Sequence, residues 1–132
     1  MKINEKDIFL LLTDKCNLNC FSCGYKCENV KDPWYINDED FENILLKLKN
    51  TNIDNCSNYS INLTGGDPLL HPNWLKYALL TRKILPECVC YISTNGLLLH
   101  SISDEVLQFC INNNIRFGIT IYPSMKLLPM YL

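Results

Sequence analysis

Three cysteines in the spacing CxxxCxxC, Cys16, Cys20 and Cys23, stand directly after the apolar run Ile8-Phe9-Leu10-Leu11-Leu12. Thiolate is the usual protein ligand of iron–sulfur clusters, so three of them can hold three irons of a four-iron cluster. The fourth iron is then open, as in a site that binds and activates a small molecule rather than one that only relays electrons. If Cys27 joins the set, four thiolates close tetrahedrally around zinc or complete a four-cysteine electron-transfer cluster. Spacing alone leaves these alternatives open.

Two further loops carry groups suited to a ligand. In Gly65-Gly66-Asp67-Pro68, the glycines let a ligand approach the main chain with no Cβ in the way. A turn of exposed N–H and C=O groups can hold both poles of a zwitterion such as an amino acid. Asp67 either adds a carboxylate or braces the loop, and a Gly-Gly pair by itself more often marks a tight turn. Ser93, Thr94 and Asn95 place three short polar side chains before Gly96, enough to grip a ribose, although Ser-Thr-Asn-Gly is also ordinary turn chemistry. Thr120 alternates with Gly118 and Tyr122, against Phe117, Ile119 and Ile121. Its hydroxyl could touch a ligand, or simply reflect strand propensity. His71 fits a surface or capping role better than a functional one, and His100 a solvated one. Cys88, Cys90 and Cys110 fit buried apolar positions, while Cys56 lies in a polar stretch with no assigned role.

The elements that position these loops alternate. Ile8 to Thr13 is expected to be a strand, and its unbroken apolar character suits burial on both faces of a parallel sheet. Asn37 caps an expected helix from Asp38 to Lys49, with acids in its first turn, lysines in its last, and an apolar stripe of Phe41, Ile44, Leu45 and Leu48. Tyr59 to Thr64 is the second strand. A helix from about Asn73 to Ile84 follows, with a weaker stripe of Trp74, Leu75, Ala78, Leu79 and Arg82, ending at Pro86. Val89 to Ser93 is the third strand, Ser103 caps a helix through about Asn112, and Arg116 to Tyr122 is the fourth strand, ending at Pro123. From the second strand on the unit recurs about every 28 residues, the length of one βα unit. The expected fold is therefore α/β: a piece of a βα barrel or an open sheet, with about four parallel strands and three right-handed crossover helices. In either form the functional rim is at the carboxyl ends of the strands, where the cysteines, the Gly-Gly loop, the Ser-Thr-Asn loop and the Tyr122-Pro123 corner all fall. Residues 1–123 read as the core and 124–132 as an irregular tail.

Composition narrows the function classes. With 132 residues, 48% of them hydrophobic, the chain can bury one core. A net charge of -2 and the lack of any basic cluster argue against nucleic acid. The longest apolar runs are far short of the roughly 20 residues a bilayer needs, and Lys2, Glu5, Lys6 and Asp7 interrupt any signal-peptide pattern. The expected location is the cytoplasm. Eight cysteines there point to metal or redox chemistry before disulfides.

Taken together in this order and placement, CxxxCxxC, GGDP and STNG resemble the radical S-adenosylmethionine (SAM) superfamily over roughly residues 8–123. Lys15–Cys23, Leu63–Pro72 and Ser93–Leu99 are most similar to a single-cluster subgroup with a Leu-Leu-His-Pro extension after the glycine motif. The resemblance implies a partial radical SAM barrel in which Cys16, Cys20 and Cys23 ligate a [4Fe–4S] cluster whose open iron binds SAM. Gly65, Gly66, Asp67 and Pro68 would hold the methionine amino group, largely through backbone. Ser93, Thr94 and Asn95 would lie along the ribose, with Thr120 a further contact. It implies reductive cleavage of SAM to a 5′-deoxyadenosyl radical that takes hydrogen from a substrate the sequence does not identify, with an electron donor such as a flavodoxin or ferredoxin. No catalytic side chain is implied beyond cluster and SAM. Ser22 stands where the family commonly has an aromatic residue, and Asp67 where Glu is usual. The family's barrel also has more βα units than this chain supplies. The chain is therefore expected to be the amino-terminal part of a larger enzyme, a truncated product, or a half-barrel completed by a partner chain at the exposed strand edge. The competing expectation is a non-catalytic Fe–S or zinc module that does not use SAM.

Overall fold

The structure, a computed structural model, describes residues 6–18, 20, 30–51 and 59–121. Four strands, β1 (Lys6–Thr13), β2 (Tyr59–Gly65), β3 (Val89–Thr94) and β4 (Ile115–Ile119), form one sheet in the order β1-β2-β3-β4. Every neighbouring pair is parallel. Three helices alternate with them: α1 (Asp38–Asn50), α2 (Trp74–Ile84) and α3 (Asp104–Asn112). This is the expected α/β arrangement, a partial βα barrel.

Local chemistry sets the helix starts. The Asn37 carboxamide accepts from the Asp40 N–H at 2.8 Å, and the Ser103 hydroxyl accepts from the Val106 N–H at 3.3 Å, so each cap satisfies a donor that the helix cannot pair internally. Phe41 and Leu45 of α1 are fully buried, and Ile44 and Leu48 pack beside them.

On one face of the sheet Leu10, Leu12, Ile61, Leu63, Cys90, Ile92 and Ile115 join these helical residues in a single core. The opposite face is different. β1 is not buried on both faces, as its apolar run had led us to expect, because among the described residues no helix packs over its second face. Phe9 and Leu11 are 56% and 39% exposed while Leu10 and Leu12 are buried. On that same face, which is open at its margins, β2 carries Ser60, Asn62 and Thr64, all buried, β3 carries Tyr91 and Ser93, and β4 carries Arg116 and Gly118, as strand alternation and register require.

Three boundaries differ from the sequence reading. β1 begins two residues earlier than Ile8, and α2 buries Ala78 of the expected stripe, with Trp74, Leu75 and Leu79 packed beside the core, but turns Tyr77, Thr81 and Ile84 inward as well. Tyr77 can be buried because its hydroxyl has partners, donating toward the Ile36 carbonyl (3.1 Å) and the Asp38 carboxylate (2.8 Å). Arg82 reaches the backbone carbonyls of Cys88 and, at 3.1 Å, Asn113. β4 ends at Ile119 instead of Tyr122, so Thr120 lies just beyond the strand, although its N–H still donates to the Thr94 carbonyl at 3.0 Å. The Tyr122-Pro123 corner, the tail, Cys23, Cys27, Ser22 and Cys56 lie outside the described residues.

Cys88, Cys90 and Cys110 are fully buried, although Cys88 precedes β3 rather than sharing its face. Burial pushes the Cys90 thiol up from its ordinary 9.0 to about 12, and raises that of Cys110 as well. The Cys90 thiol therefore stays protonated at neutral pH. In the unfolded chain it ionises near its ordinary value, so above about pH 9 the unfolded state releases a proton that the folded state keeps. Stability is therefore expected to fall by about 1 kcal/mol per pH unit for Cys90 between pH 9 and 12. Urea midpoints across that range in wild type and Cys90→Ala check this: the variant should lose part of the slope.

Candidate functional site

The loop that carries the cysteines leaves the carboxyl end of β1 and is closed at its base. Thr13, fully buried, donates its hydroxyl to the Trp34 carbonyl at 2.6 Å and pairs with Tyr35 in an antiparallel bridge. The Asp14 carboxylate accepts from the Trp34 N–H at 2.7 Å, and the Ile36 N–H donates to the Leu12 carbonyl at 2.9 Å. Entry and exit of the loop are thus fixed side by side, so the closure entropy of the loop is met at its base.

His71 latches the exit strand to α2. It is 3% exposed, and its Nδ1 accepts from the Asn73 N–H at 3.0 Å, so Nε2 carries the proton and donates to the Ile36 carbonyl at 2.9 Å. Its ring lies 5.6 Å from that of Tyr35 and 4.9 Å from that of Tyr77. Within the Leu-Leu-His-Pro stretch His71 is thereby explained as framework, buried between half-buried Leu70 and exposed Pro72. His71→Ala is expected to cost about 2–3 kcal/mol, from an orphaned amide and a lost ring. Thermal unfolding should register it as a fall of roughly 5–10 °C.

The Gly-Gly loop presses against the start of the cysteine loop. The Gly66 N–H donates to the Thr13 carbonyl and the Asp67 N–H to the Lys15 carbonyl, each at 2.8 Å. A Cβ on Gly65, whose φ is +146°, would stand 2.1 Å from the Thr13 carbonyl oxygen, and one on Gly66 2.1 Å from that of Lys15. Only glycine permits this contact at either position. Pro68–Leu70 then form a 3-10 turn capped by the Asp67 side chain, which accepts from the Leu69 N–H at 3.0 Å.

The second carboxylate oxygen of Asp67, fully buried, accepts from the Thr94 hydroxyl at 2.7 Å and the Asn95 N–H at 2.9 Å. Asp67 therefore ties the Gly-Gly loop to the Ser-Thr-Asn loop, a role its position in the sequence left undecided. Thr94, 4% exposed, also accepts from the Gly96 N–H at 3.1 Å. Ser93 points to the open face and is half-buried beside Gly118, where an added Cβ would come no nearer than 3.9 Å, at the Ser93 hydroxyl.

Asn95 completes the chain of contacts. Its Oδ1 accepts from the Leu97 N–H at 3.0 Å, which directs its amide nitrogen toward the cysteine loop. There Nδ2 donates to Asn17 Oδ1 at 2.8 Å and lies 3.9 Å from Cys16 Sγ. The same sulfur accepts from the Leu18 N–H at 3.4 Å. Cys16 and Cys20 are both half-buried.

Cys16, Gly65, Gly66, Asp67, Pro68 and Asn95 are thus brought together at the carboxyl end of the sheet, with Ser93 on the adjoining open face, while Thr120 is exposed beyond β4. Among the described residues no three cysteine, histidine or carboxylate side chains converge; the set implied by CxxxCxxC includes Cys23, outside them. The donor chemistry fits an iron–sulfur cluster. Cys16 is a soft ligand whose sulfur meets the Leu18 N–H and the Asn95 amide. The sequence reading missed Asn17, Leu18 and His71 as parts of this framework; asparagine directly after the first cysteine was the one visible signal.

Among the described residues no helix is long and apolar enough to cross a membrane. Residues 10–122 match the family model described as the radical SAM superfamily. A relative from Methanocaldococcus jannaschii, the uncharacterized protein MJ0907, is 31% identical over 125 residues, which is 88% of this chain and 38% of that protein. The crystal structure of BtrN in complex with AdoMet and 2-DOIA superposes with a TM-score of 0.68 at 20% identity, over 91% of this chain and 47% of BtrN. BtrN in an open conformation gives 0.65 at 19% identity. The chain spans 38% of the length of the Methanocaldococcus protein and about half that of BtrN.

Proposed function

The chain belongs to the radical SAM superfamily, and from that premise we propose that it forms the cluster- and SAM-binding half of an enzyme that abstracts hydrogen from its substrate. Cys16, Cys20 and Cys23 would hold a [4Fe–4S] cluster through three irons. Such a cluster, when bound, would supply the one-electron reduction of SAM on which hydrogen abstraction depends. The chain's own residues bind, orient and hold the loops in place.

The observation that carries the reading is the convergence of the cysteine, Gly-Gly and Ser-Thr-Asn loops at the carboxyl ends of adjacent strands, with Asn95 against Cys16. Geometry also divides the work within each motif. Gly66 and Asp67 have given their N–H groups to the Thr13 and Lys15 carbonyls, and the Asp67 and Pro68 carbonyls accept from Leu70 and His71. The acceptors left out of these turn bonds are the Gly65 and Gly66 carbonyls, the polarity an ammonium group needs. Of the three polar side chains in Ser93-Thr94-Asn95, those of Thr94 and Asn95 are committed within the framework, which leaves Ser93 for the ribose. Thr120, exposed just beyond β4, is a further contact in this reading.

A cytoplasmic setting, a flavodoxin- or ferredoxin-type electron donor and a partner chain at the β4 edge complete the proposal. Ile119 and Ile121, 53% and 74% exposed, lie at that edge, an apolar border that favours added structure.

Anaerobic reconstitution with iron and sulfide, followed by electron paramagnetic resonance of the reduced chain with and without SAM, tests the reading. A four-iron signal altered by SAM is the expected result. It should vanish in Cys16→Ala and persist in Cys27→Ala. A metal site lost in Cys27→Ala, or a cluster indifferent to SAM, would instead establish the non-catalytic module.

A further inference from the structure

Asn95 reaches the Cys16 sulfur from a different strand end. Its orientation is fixed on three sides. The backbone N–H is held by Asp67 (2.9 Å), Oδ1 by the Leu97 N–H (3.0 Å), and Nδ2 by Asn17 Oδ1 (2.8 Å). Rotating the amide would set a carbonyl oxygen against both Asn17 Oδ1 and the sulfur, and would leave Leu97 facing a second donor. The nitrogen therefore stays on the cysteine side, 3.9 Å from Cys16 Sγ, with the side chain 7% exposed.

A group so enclosed has little freedom to bind a nucleoside. It is, however, well placed to act on the thiolate. N–H donors to cluster sulfurs stabilise the reduced, more negative state and raise the reduction potential, and they fix the orientation of the ligand. We propose that Asn95 is a positioning residue of the cluster site, not a ribose contact: it anchors the cysteine loop through Asn17 and donates to Cys16 Sγ, raising the cluster's reduction potential. The chain of bonds from Asp67 makes the Gly-Gly loop part of the same support. Movement of that loop would then reach the Cys16 thiolate through a single residue. This inference rests on the iron–sulfur reading above.

The test uses the full chain, reconstituted with iron and sulfide, as wild type, Asn95→Ala and Asn95→Asp. The aspartate variant keeps an oxygen acceptor for Leu97 while replacing the donor by a negative oxygen, so it separates folding of the turn from donation to sulfur. Redox titration followed by paramagnetic resonance should give a more negative midpoint potential in both variants, most negative in Asn95→Asp. Hydrogen exchange of residues 14–18 in the cluster-free chain should quicken in Asn95→Ala, because the Asn17 anchor is gone. An unchanged potential together with a weakened response to added SAM would overturn the proposal and return Asn95 to the ribose. A wild-type chain that takes up no four-iron cluster would overturn the iron–sulfur reading itself, and this inference with it.

Discussion

Gly66→Ala is expected to destabilise the chain by about 3–5 kcal/mol, a large part of the total stability of a small domain. The added Cβ would lie 2.1 Å from the Lys15 carbonyl oxygen, 2.4 Å from its carbon and 2.9 Å from the Asp14 carbonyl oxygen. All three are backbone atoms, so no side chain can swing aside. Relief requires the two loops to separate, which breaks the Gly66 N–H to Thr13 and Asp67 N–H to Lys15 bonds. Each is worth about 1 kcal/mol net, and the overpacking adds roughly 1–3 more. Lys15 is the residue before Cys16, so the damage enters the cysteine loop directly.

Urea denaturation measures the loss, and Gly118→Ala supplies the contrast. At Gly118 the nearest atom to an added Cβ is the Ser93 hydroxyl at 3.9 Å. That variant should be neutral or gain about 0.5 kcal/mol by restricting the unfolded chain. If Gly66→Ala were as harmless as Gly118→Ala, the close approach of the two loops would be wrong. In the loaded protein Gly66→Ala should also reduce cluster uptake, measured as iron bound per chain, while Gly118→Ala should not.

These two glycines mark the limit of what the sequence makes legible. Strand and helix placement follow from patterns a few residues wide, such as the capping Asn37 and Ser103 and the stripe of α1, and the structure keeps them within one or two residues except at the end of β4. The side on which a residue is buried depends on neighbours far away in the chain. The apolar run of β1 reads as doubly buried, yet Phe9 and Leu11 face outward, because among the described residues no helix packs over that face. Tyr77 and Thr81 turn inward against their polarity because carbonyl and carboxylate partners await them there.

The candidate site divides in the same way. Cysteine spacing and loop order locate it, since chemistry and strand ends are both written locally. Its internal wiring is not. Asp67 to Thr94, Asn95 to Cys16 and His71 to Ile36 are contacts between loops separated by 27, 79 and 35 residues, and no local pattern distinguishes a carboxylate that meets a ligand from one that meets a neighbouring turn.

Asp67→Ala is the sharpest probe of that wiring, with an expected cost of about 3–5 kcal/mol. The carboxylate is fully buried and satisfies the Leu69 N–H, the Thr94 hydroxyl and the Asn95 N–H. Removing it orphans three donors in the interior, at roughly 1–3 kcal/mol each before any relaxation. A ligand-facing aspartate would behave in the opposite way, since its removal would weaken binding and leave folding nearly untouched. Asp67→Glu, although glutamate is the family's more usual residue, should still cost about 1–3 kcal/mol here, because an extra methylene must enter a site with no spare room. A double-mutant cycle of Asp67→Ala with Thr94→Val isolates the contact at 2.7 Å, and a coupling above about 0.5 kcal/mol is expected. Urea unfolding of the cluster-free chain reads all three quantities. A loss below about 1 kcal/mol for Asp67→Ala would remove the brace, and with it the reason Asn95 is held against Cys16.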